Sequence, residues 1–278
     1  MKNTLNYIFI GLVLLVFNGC AMSAGMYAAK GNVKGLDEKL KEGTAVNSFE
    51  YNMTPLHRAA NNGQYLAAKY LVEHGADVNI LSQDDEQAWT PLRYAIEASH
   101  DAQFWPNMDG KRKLDVVKLL VDNGADIHVK DKYGRTYLHI VARQTYDGAI
   151  DIAKYLISKG LNVNEKSNTG FTPLHQNASA STSDKLYSAK NSLAMAKTLI
   201  EKGANPYAQT NSRGDTPGHT AACYGRKILI ENVYMPMMIA TGKDPINKEG
   251  RKMKDYWDEY YDFMEMKTIY PPRCDELN

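Results

Sequence analysis

Apolar residues along this chain fall at helical spacing in short bursts, each closed by a polar turn. Leu66, Tyr70 and Leu71 form one burst, and Leu114, Val117, Leu119 and Leu120 form another. Recurrence every three to four residues predicts a helix with one buried stripe. Gly75 and Gly124 follow these two stripes, and a glycine ends a helix in the left-handed conformation without steric penalty. Upstream lies a shorter helix opened by a threonine, as at Thr54-Pro55-Leu56, with a turn such as Asn61-Asn62-Gly63 between the two. Proline is tolerated in a first helical turn, because the N–H it lacks would have no partner there. One such helix pair has too little apolar surface to fold alone, so neighbouring pairs must stack.

The pair recurs. Thr54-Pro55-Leu56-His57-Arg58-Ala59-Ala60 is echoed by Thr90-Pro91-Leu92-Arg93-Tyr94-Ala95, Thr136-Tyr137-Leu138-His139, Thr172-Pro173-Leu174-His175 and Thr216-Pro217-Gly218-His219. A second element follows downstream: Gly75-Ala76-Asp77-Val78-Asn79, Gly124-Ala125-Asp126-Ile127-His128, Gly160-Leu161-Asn162-Val163-Asn164 and Gly203-Ala204-Asn205-Pro206. Two linked motifs in fixed order resemble the ankyrin repeat, with its T-P-L-H-x-A and a later G-A-D. The resemblance implies an all-α repeat solenoid, a stack of helix-turn-helix units joined by β-hairpin loops. It also implies that His57, His139, His175 and His219 hydrogen-bond the backbone of adjacent loops rather than hold a metal. A stack has no central cavity and presents an extended surface, which suits binding a macromolecule rather than catalysis.

The motif threonines lie 36, 46, 36 and 44 residues apart, against a family period of about 33. Counting from the threonine places two insertions between the paired helices: Ser99 to Arg112, with Phe104, Trp105 and Pro106, and Ser179 to Ser192, rich in Ser and Ala. Ser82 to Ala88 lengthens one hairpin. The ends are degenerate, as terminal caps of a solenoid are: residues 26–50 read as a first repeat without T-P-L-H, and 248–278 as a closing cap with Tyr256, Trp257, Tyr260, Tyr261 and Phe263. The expected array is a single domain of about seven units.

Composition narrows the class. The chain of 278 residues is 44% hydrophobic and 23% charged, with a net charge of +1. That is globular composition without the basic excess of a nucleic-acid binder or the polarity of a long disordered chain. Near the N-terminus, Lys2 precedes the apolar run Ile8 to Phe17, too short to span a bilayer and suited to the core of a secretory signal peptide. Phe17-Asn18-Gly19-Cys20 resembles a bacterial lipobox. It implies removal of residues 1–19, lipidation of Cys20 and, with Ala21 next, sorting to the outer membrane. An ordinary signal peptide cut after Cys20 or near Ala24 is the alternative. Either way the mature chain is expected outside the cytoplasm, with the periplasm as its place and, in the first case, a lipid as its membrane attachment. An oxidising compartment permits a disulfide between Cys223 and Cys274, which across about 50 residues contributes roughly 4 kcal/mol in the chain-entropy model.

No G-x-S-x-G elbow, P-loop, G-x-G-x-x-G or H-E-x-x-H appears, and Asp84-Asp85-Glu86 lacks the alternation of a calcium loop. No catalytic residue, cofactor or metal is expected. In ankyrin proteins partners contact the hairpin tips and the exposed side of the first helices. Carried over, those positions are Tyr51, Met53, Glu86, Gln87, Trp89, Lys132, Tyr133, Arg135, Asn168, Phe171 and Arg213 in the hairpins, and Glu97, Arg143, Gln144 and Tyr224 at the first helices. Phe104 and Trp105 join them if the first insertion binds; folding back over the second helices is its other reading. Trp89 and Phe171 have packing between hairpins as an alternative role. Tyr, Trp and Arg dominate binding hot spots, and charges of both signs suit one shaped partner rather than a polyanion. Architecture and address together resemble immunity proteins that neutralise phospholipase effectors of type VI secretion, as monomers binding one toxin 1:1. A periplasmic ankyrin scaffold for envelope assembly or oxidative-stress defence is the competing reading.

Overall fold

The computed structural model describes residues 22–83, 88–97, 110–146, 148–180 and 186–258. Helices come in pairs: α1 (Ala24–Lys30) with α2 (Val33–Lys41), α3 (Pro55–Asn61) with α4 (Tyr65–Glu73), α5 (Pro91–Ile96) with α6 (Gly110–Asp122), α7 (Tyr137–Ala142) with α8 (Ala149–Ser158), and α9 (Pro173–Ser179) with α10 (Leu186–Glu201). In the next unit α11 (Pro217–Cys223) faces a bent arm of α12 (Lys227–Leu229), a π-helical turn (Ile230–Tyr234) and α13 (Met235–Thr241). Helical residues 253–258 open a further unit. First helices pack on first helices and second helices on second helices, in two rows.

Local chemistry explains the starts. The Thr54, Thr90 and Thr216 hydroxyls accept from the amide three residues on, at 3.4, 3.2 and 3.5 Å, which satisfies an amide that has no partner inside the helix. Ser23 does the same for α1, accepting from Met26 at 3.2 Å. This is how the first unit keeps its cap after losing its threonine. Leu56, Leu71, Leu92, Ile96, Leu120, Leu138, Ile152, Leu156, Leu174 and Met195 are fully buried between the rows. Each such side chain contributes about 1.5–3 kcal/mol.

One expectation is refined and one changes. The connecting loops reverse the chain as expected but form no strand: among the described residues there are only the isolated antiparallel bridges Glu50–Met53 and Ile246–Lys252. Other loops close with single bonds, such as Ser167 N–H to Phe171 O at 2.8 Å and Asp131 N–H to Arg135 O at 3.0 Å. The insertions are also not wholly loop. The second helices that follow them run to 13 and 16 residues in α6 and α10, against 9 in α4 and 10 in α8. So Gly110 to Arg112 and Leu186 to Ser192 extend helices, while residues 98–109 and 181–185 lie outside the described residues. The extension of α10 has partners: Asn191 donates to Thr145 O at 2.7 Å, and buried Asn177 donates to Ala142 O at 3.1 Å and Ser192 Oγ at 3.3 Å. At the root of the first insertion, buried Lys113 donates to Glu97 O at 2.5 Å and Tyr146 to Ile96 O at 2.7 Å. These two side chains satisfy the carbonyls that α5 leaves open by ending early.

A line of asparagines ties the loops after the second helices. Asn79 donates to Gly124 O at 3.0 Å and accepts from Asp126 N–H at 2.9 Å. Asn164 does the same with Gly203 O and Asn205 N–H at 2.8 and 2.7 Å. His128 occupies the equivalent place between them and, among the described residues, makes no such bridge. His128→Asn is therefore expected to add two hydrogen bonds and to stabilise the fold by about 1–2 kcal/mol. A urea midpoint unchanged or lowered in this variant would show that the line of asparagines does not couple the units.

Candidate functional site

The loop before α3 turns within two residues. Glu50 and Met53 exchange backbone bonds at 2.9 and 3.2 Å, and Tyr51 and Asn52 between them have φ of 48° and 65°. Such a turn needs positive φ at both central residues and favours Asn-Gly. A tyrosine there is strained, at a cost of about 1–3 kcal/mol. Nothing in the packing offsets that cost, because Tyr51 is 93% exposed. Its ring lies 5.9 Å from the Arg58 guanidinium, which is itself anchored to Glu50 O at 2.9 Å.

The following loops extend this surface. Half-buried Trp89 stands 5.2 Å from the Tyr94 ring, with the Arg93 guanidinium 4.7 Å from its indole. Arg93 occupies the position that histidine holds in other units. It bonds Glu97 at 2.8 Å and reaches Asp131 in the next loop at 3.7 Å. Asp131 also holds Arg135 at 2.7 Å and accepts from the Tyr133 amide at 3.0 Å. Tyr133 is 49% exposed, with Arg135 and Lys132 at 4.7 and 5.3 Å from its ring. Successive loops are joined edge to edge: Gln83 N–H to Asn52 O at 2.9 Å, Asn168 N–H to Tyr133 O at 3.0 Å, Asn211 N–H to Thr169 O at 3.0 Å and Lys248 N–H to Arg213 O at 2.8 Å.

The structure thus brings Tyr51, Trp89, Glu97, Lys132, Tyr133 and Arg135 onto one side of the stack, with Met53 half-buried at the base of its turn. Arg143 is exposed at the end of α7, and Gln144 and Tyr224 are half-buried at the ends of α7 and α11. Asn168 is exposed, but its amide is spent on Lys132 O at 3.1 Å. Two positions are corrected. Phe171 is buried, 4% exposed, and packs against His175 with ring centroids 5.2 Å apart; the apolar ring closes the core under its loop instead of facing a partner. Arg213 turns inward to Asp215 at 3.5 Å, Glu249 at 3.1 Å and the Tyr256 hydroxyl, and so secures the closing unit. Glu86, Gln87, Phe104 and Trp105 lie outside the described residues, as do Cys20 and Cys274. Cys223 is held in a disulfide. Arg58, Arg93 and Tyr94 are additions. The signal for Arg93 was visible, since Thr90-Pro91-Leu92 runs into arginine where histidine recurs elsewhere.

The histidines are consumed by the scaffold. His57, His139 and His175 each accept at Nδ1 from the threonine amide at 3.1 Å. Their Nε2 atoms lie 2.9, 3.0 and 3.0 Å from the carbonyls of Trp89, Phe171 and Asp215 in the next loop. This requires the neutral ring with its proton on Nε2. Burial pushes all three pKa values down to about 4.

Comparison with known proteins agrees with this architecture. The ankyrin-repeat family pattern in its three-copy form matches residues 12–103 and 108–185, and the single ankyrin repeat matches 169–211. The human transient receptor potential cation channel subfamily A member 1 is 32% identical over 93 residues, 34% of this chain and 7% of the channel. The ankyrin repeat protein FPV244 of fowlpox virus is 32% identical over 93 residues, 33% of this chain and 12% of its own. YahD of Escherichia coli K12, also an ankyrin repeat protein, is 31% identical over 89 residues, 32% of this chain and 39% of its own. The chain thus spans well under half the length of these relatives. Among solved structures, the ankyrin repeat domain of human ASB11 superposes with a TM-score of 0.63 at 21% identity, covering 84% of this chain and 91% of that one. An ankyrin repeat domain from Acinetobacter baumannii gives 0.55 at 23% identity, covering 79% and 97%. Ankyrin repeats are typically non-catalytic scaffolds that bind proteins, and the motif threonines, histidines and loop glycines of this array, matched over most of its length, make the chain a member of the ankyrin-repeat family.

Proposed function

We propose that the protein is a binding module for one specific protein, engaged through its loop tips and the adjoining ends of its first helices. In this reading it acts as an immunity protein outside the cytoplasm, lipid-anchored through Cys20 and neutralising a toxin of the lipase-effector kind by occupying it 1:1. The observation that carries the binding reading is Tyr51: an exposed aromatic held at positive φ, where glycine or asparagine would relieve the strain. A side chain that is destabilising and touches no core fits selection for contact with something else. The address rests on the apolar segment and Asn18-Gly19-Cys20. The toxin rests on the resemblance of architecture and address together.

The test is capture of the partner from an envelope extract, followed by Tyr51→Gly. This variant is expected to fold more stably, by about 1 kcal/mol, and to bind the captured partner at least roughly 30-fold more weakly, as loss of a hot spot of about 2 kcal/mol does. Unchanged affinity would remove Tyr51 from the interface. A captured partner without toxic activity towards cells lacking this protein would remove the immunity reading.

A further inference from the structure

We infer that the partner surface facing the fourth unit is acidic: a protein patch presenting at least two carboxylates, one to Lys132 and one to Arg143. This rests on the binding reading above and specifies its partner. Among the described residues, the carboxylates on this side of the stack are already satisfied within the chain. Glu50 is held by the Ser23 hydroxyl and lies 3.5 Å from the Gly25 amide. Glu97 is paired with Arg93 at 2.8 Å. Asp131 accepts from the Tyr133 and Arg135 amides at 3.0 and 2.9 Å and binds the Arg135 side chain at 2.7 Å. Glu165 is paired with Lys130 at 2.6 Å.

The cations are not matched in the same way. Lys132 is exposed, and among the described residues its ammonium meets only the Tyr133 ring, at 5.3 Å. Arg143 is exposed, and its guanidinium has, among the described residues, no hydrogen bond or ion pair. Around the fourth loop, three cations (Arg93, Lys132 and Arg135) meet two carboxylates (Glu97 and Asp131), which leaves one positive charge, and Arg143 adds a second. Lys132 lies before α7 and Arg143 just after it. With the rest of the loop and the six residues of α7 between them, the two cations call for two separate carboxylates. Tyr133, between them in sequence, offers an aromatic face and a hydroxyl. Two separated charges beside an aromatic suit a shaped acidic surface. A nucleic acid would need a continuous row of phosphate contacts, and an anionic membrane a cluster of about four to eight cations. The run Asp84-Asp85-Glu86 belongs to the preceding loop and lies outside the described residues.

The experiment compares the full chain with the double variant Lys132→Glu/Arg143→Glu, the conservative Lys132→Arg/Arg143→Lys, and a control reversal at exposed Lys154 and Lys197 on the second helices. Binding of the captured envelope protein is followed kinetically at 50 and 300 mM NaCl, alongside single-stranded DNA and phosphatidylglycerol vesicles as probes. The inference expects on the order of a tenfold or greater loss for the acidic double variant, mainly in association rate and shrinking at high salt. The conservative and control variants should bind as the parent does. Circular dichroism should show all four folded, because neither side chain makes an ion pair among the described residues. A captured partner that binds the acidic double variant undiminished overturns the inference while leaving the binding reading intact. Tight binding of DNA or vesicles that the acidic double variant abolishes also overturns it, in favour of a polyanion or a membrane. If the parent captures no protein at all, the binding reading itself fails, and the inference with it.

Discussion

Acidification from pH 7 to 4 is expected to unfold the array, with most of the loss between pH 6.5 and 4. In the unfolded chain a histidine takes up its proton near 6.5, whereas His57, His139 and His175 in the fold do so only near 4. Between those values the unfolded state binds more protons, so stability falls as pH falls, by up to about 1.4 kcal/mol per pH unit for each histidine. Above 6.5 the three rings are neutral in both states and add no pH dependence. The geometry gives the cause beyond burial. A proton on Nδ1 would confront the amide of Thr54, Thr136 or Thr172 at 3.1 Å, turning an acceptor into a second donor. His219 makes the same pair of contacts, at 3.3 Å to the Thr216 amide and 3.1 Å to Arg251 O, and its pKa is also lowered by burial. Three rings acting together give a slope approaching roughly 4 kcal/mol per unit, large against a typical domain stability of about 5–15 kcal/mol. Urea midpoints measured by circular dichroism at pH 7, 6, 5 and 4.5 should fall steeply and monotonically. A flat midpoint down to pH 5 would contradict the assignment of neutral, proton-refusing rings.

What the sequence made legible follows from how local each interaction is. Thr54 with His57, or Gly75 after α4, works within one turn of chain, so a motif of a few residues carries both the partners and the geometry. The same reasoning placed the turn before α3 and the exposure of Tyr51. It missed the strain there, because nothing in Glu50-Tyr51-Asn52-Met53 marks two positive φ values. Phe171 defeated position-by-position transfer: it stands one residue before a motif threonine, as Met53 and Trp89 do, but its burial depends on the fit of its ring beside His175, which no spacing reveals. The insertions were located correctly between the helices and then read as loop. Their C-terminal parts extend α6 and α10 because Lys113, Asn191 and Ser192 find partners about 15 to 46 residues away in sequence, in their own unit or the one before. Arg213 shows the same limit, since a cation at a loop tip reads as a contact residue until Glu249 and Asp215 are seen beside it.

The joints between loops provide the other large effect, at Gly170. Its φ is +85°, and a Cβ there would lie 2.6 Å from the backbone nitrogen of Asn211. That nitrogen donates to Thr169 O at 3.0 Å, and the Asn211 side chain donates to Asn168 O at 3.0 Å. An alanine cannot be accommodated by rotating a side chain, because the obstacle is the neighbouring loop's own backbone. The loops must part, and both bonds weaken. The shift also reaches Phe171, whose carbonyl receives His139 Nε2 at 3.0 Å. Gly170→Ala is therefore expected to destabilise the protein by about 3 kcal/mol, combining left-handed strain with two impaired hydrogen bonds. Gly160 is the control. It has a φ of +103° and no atom within 4 Å of its would-be Cβ, so Gly160→Ala should cost only the conformational strain, about 1 kcal/mol. In a solenoid, stability is a sum of unit terms and nearest-neighbour terms. The Gly170 variant loses a neighbour term, so its urea transition should broaden or split as the units beyond Thr210 uncouple, whereas the Gly160 variant should shift without changing shape. Equal shifts in the two variants would mean that loop contact carries no coupling, and that the packed rows of helices alone hold the units together.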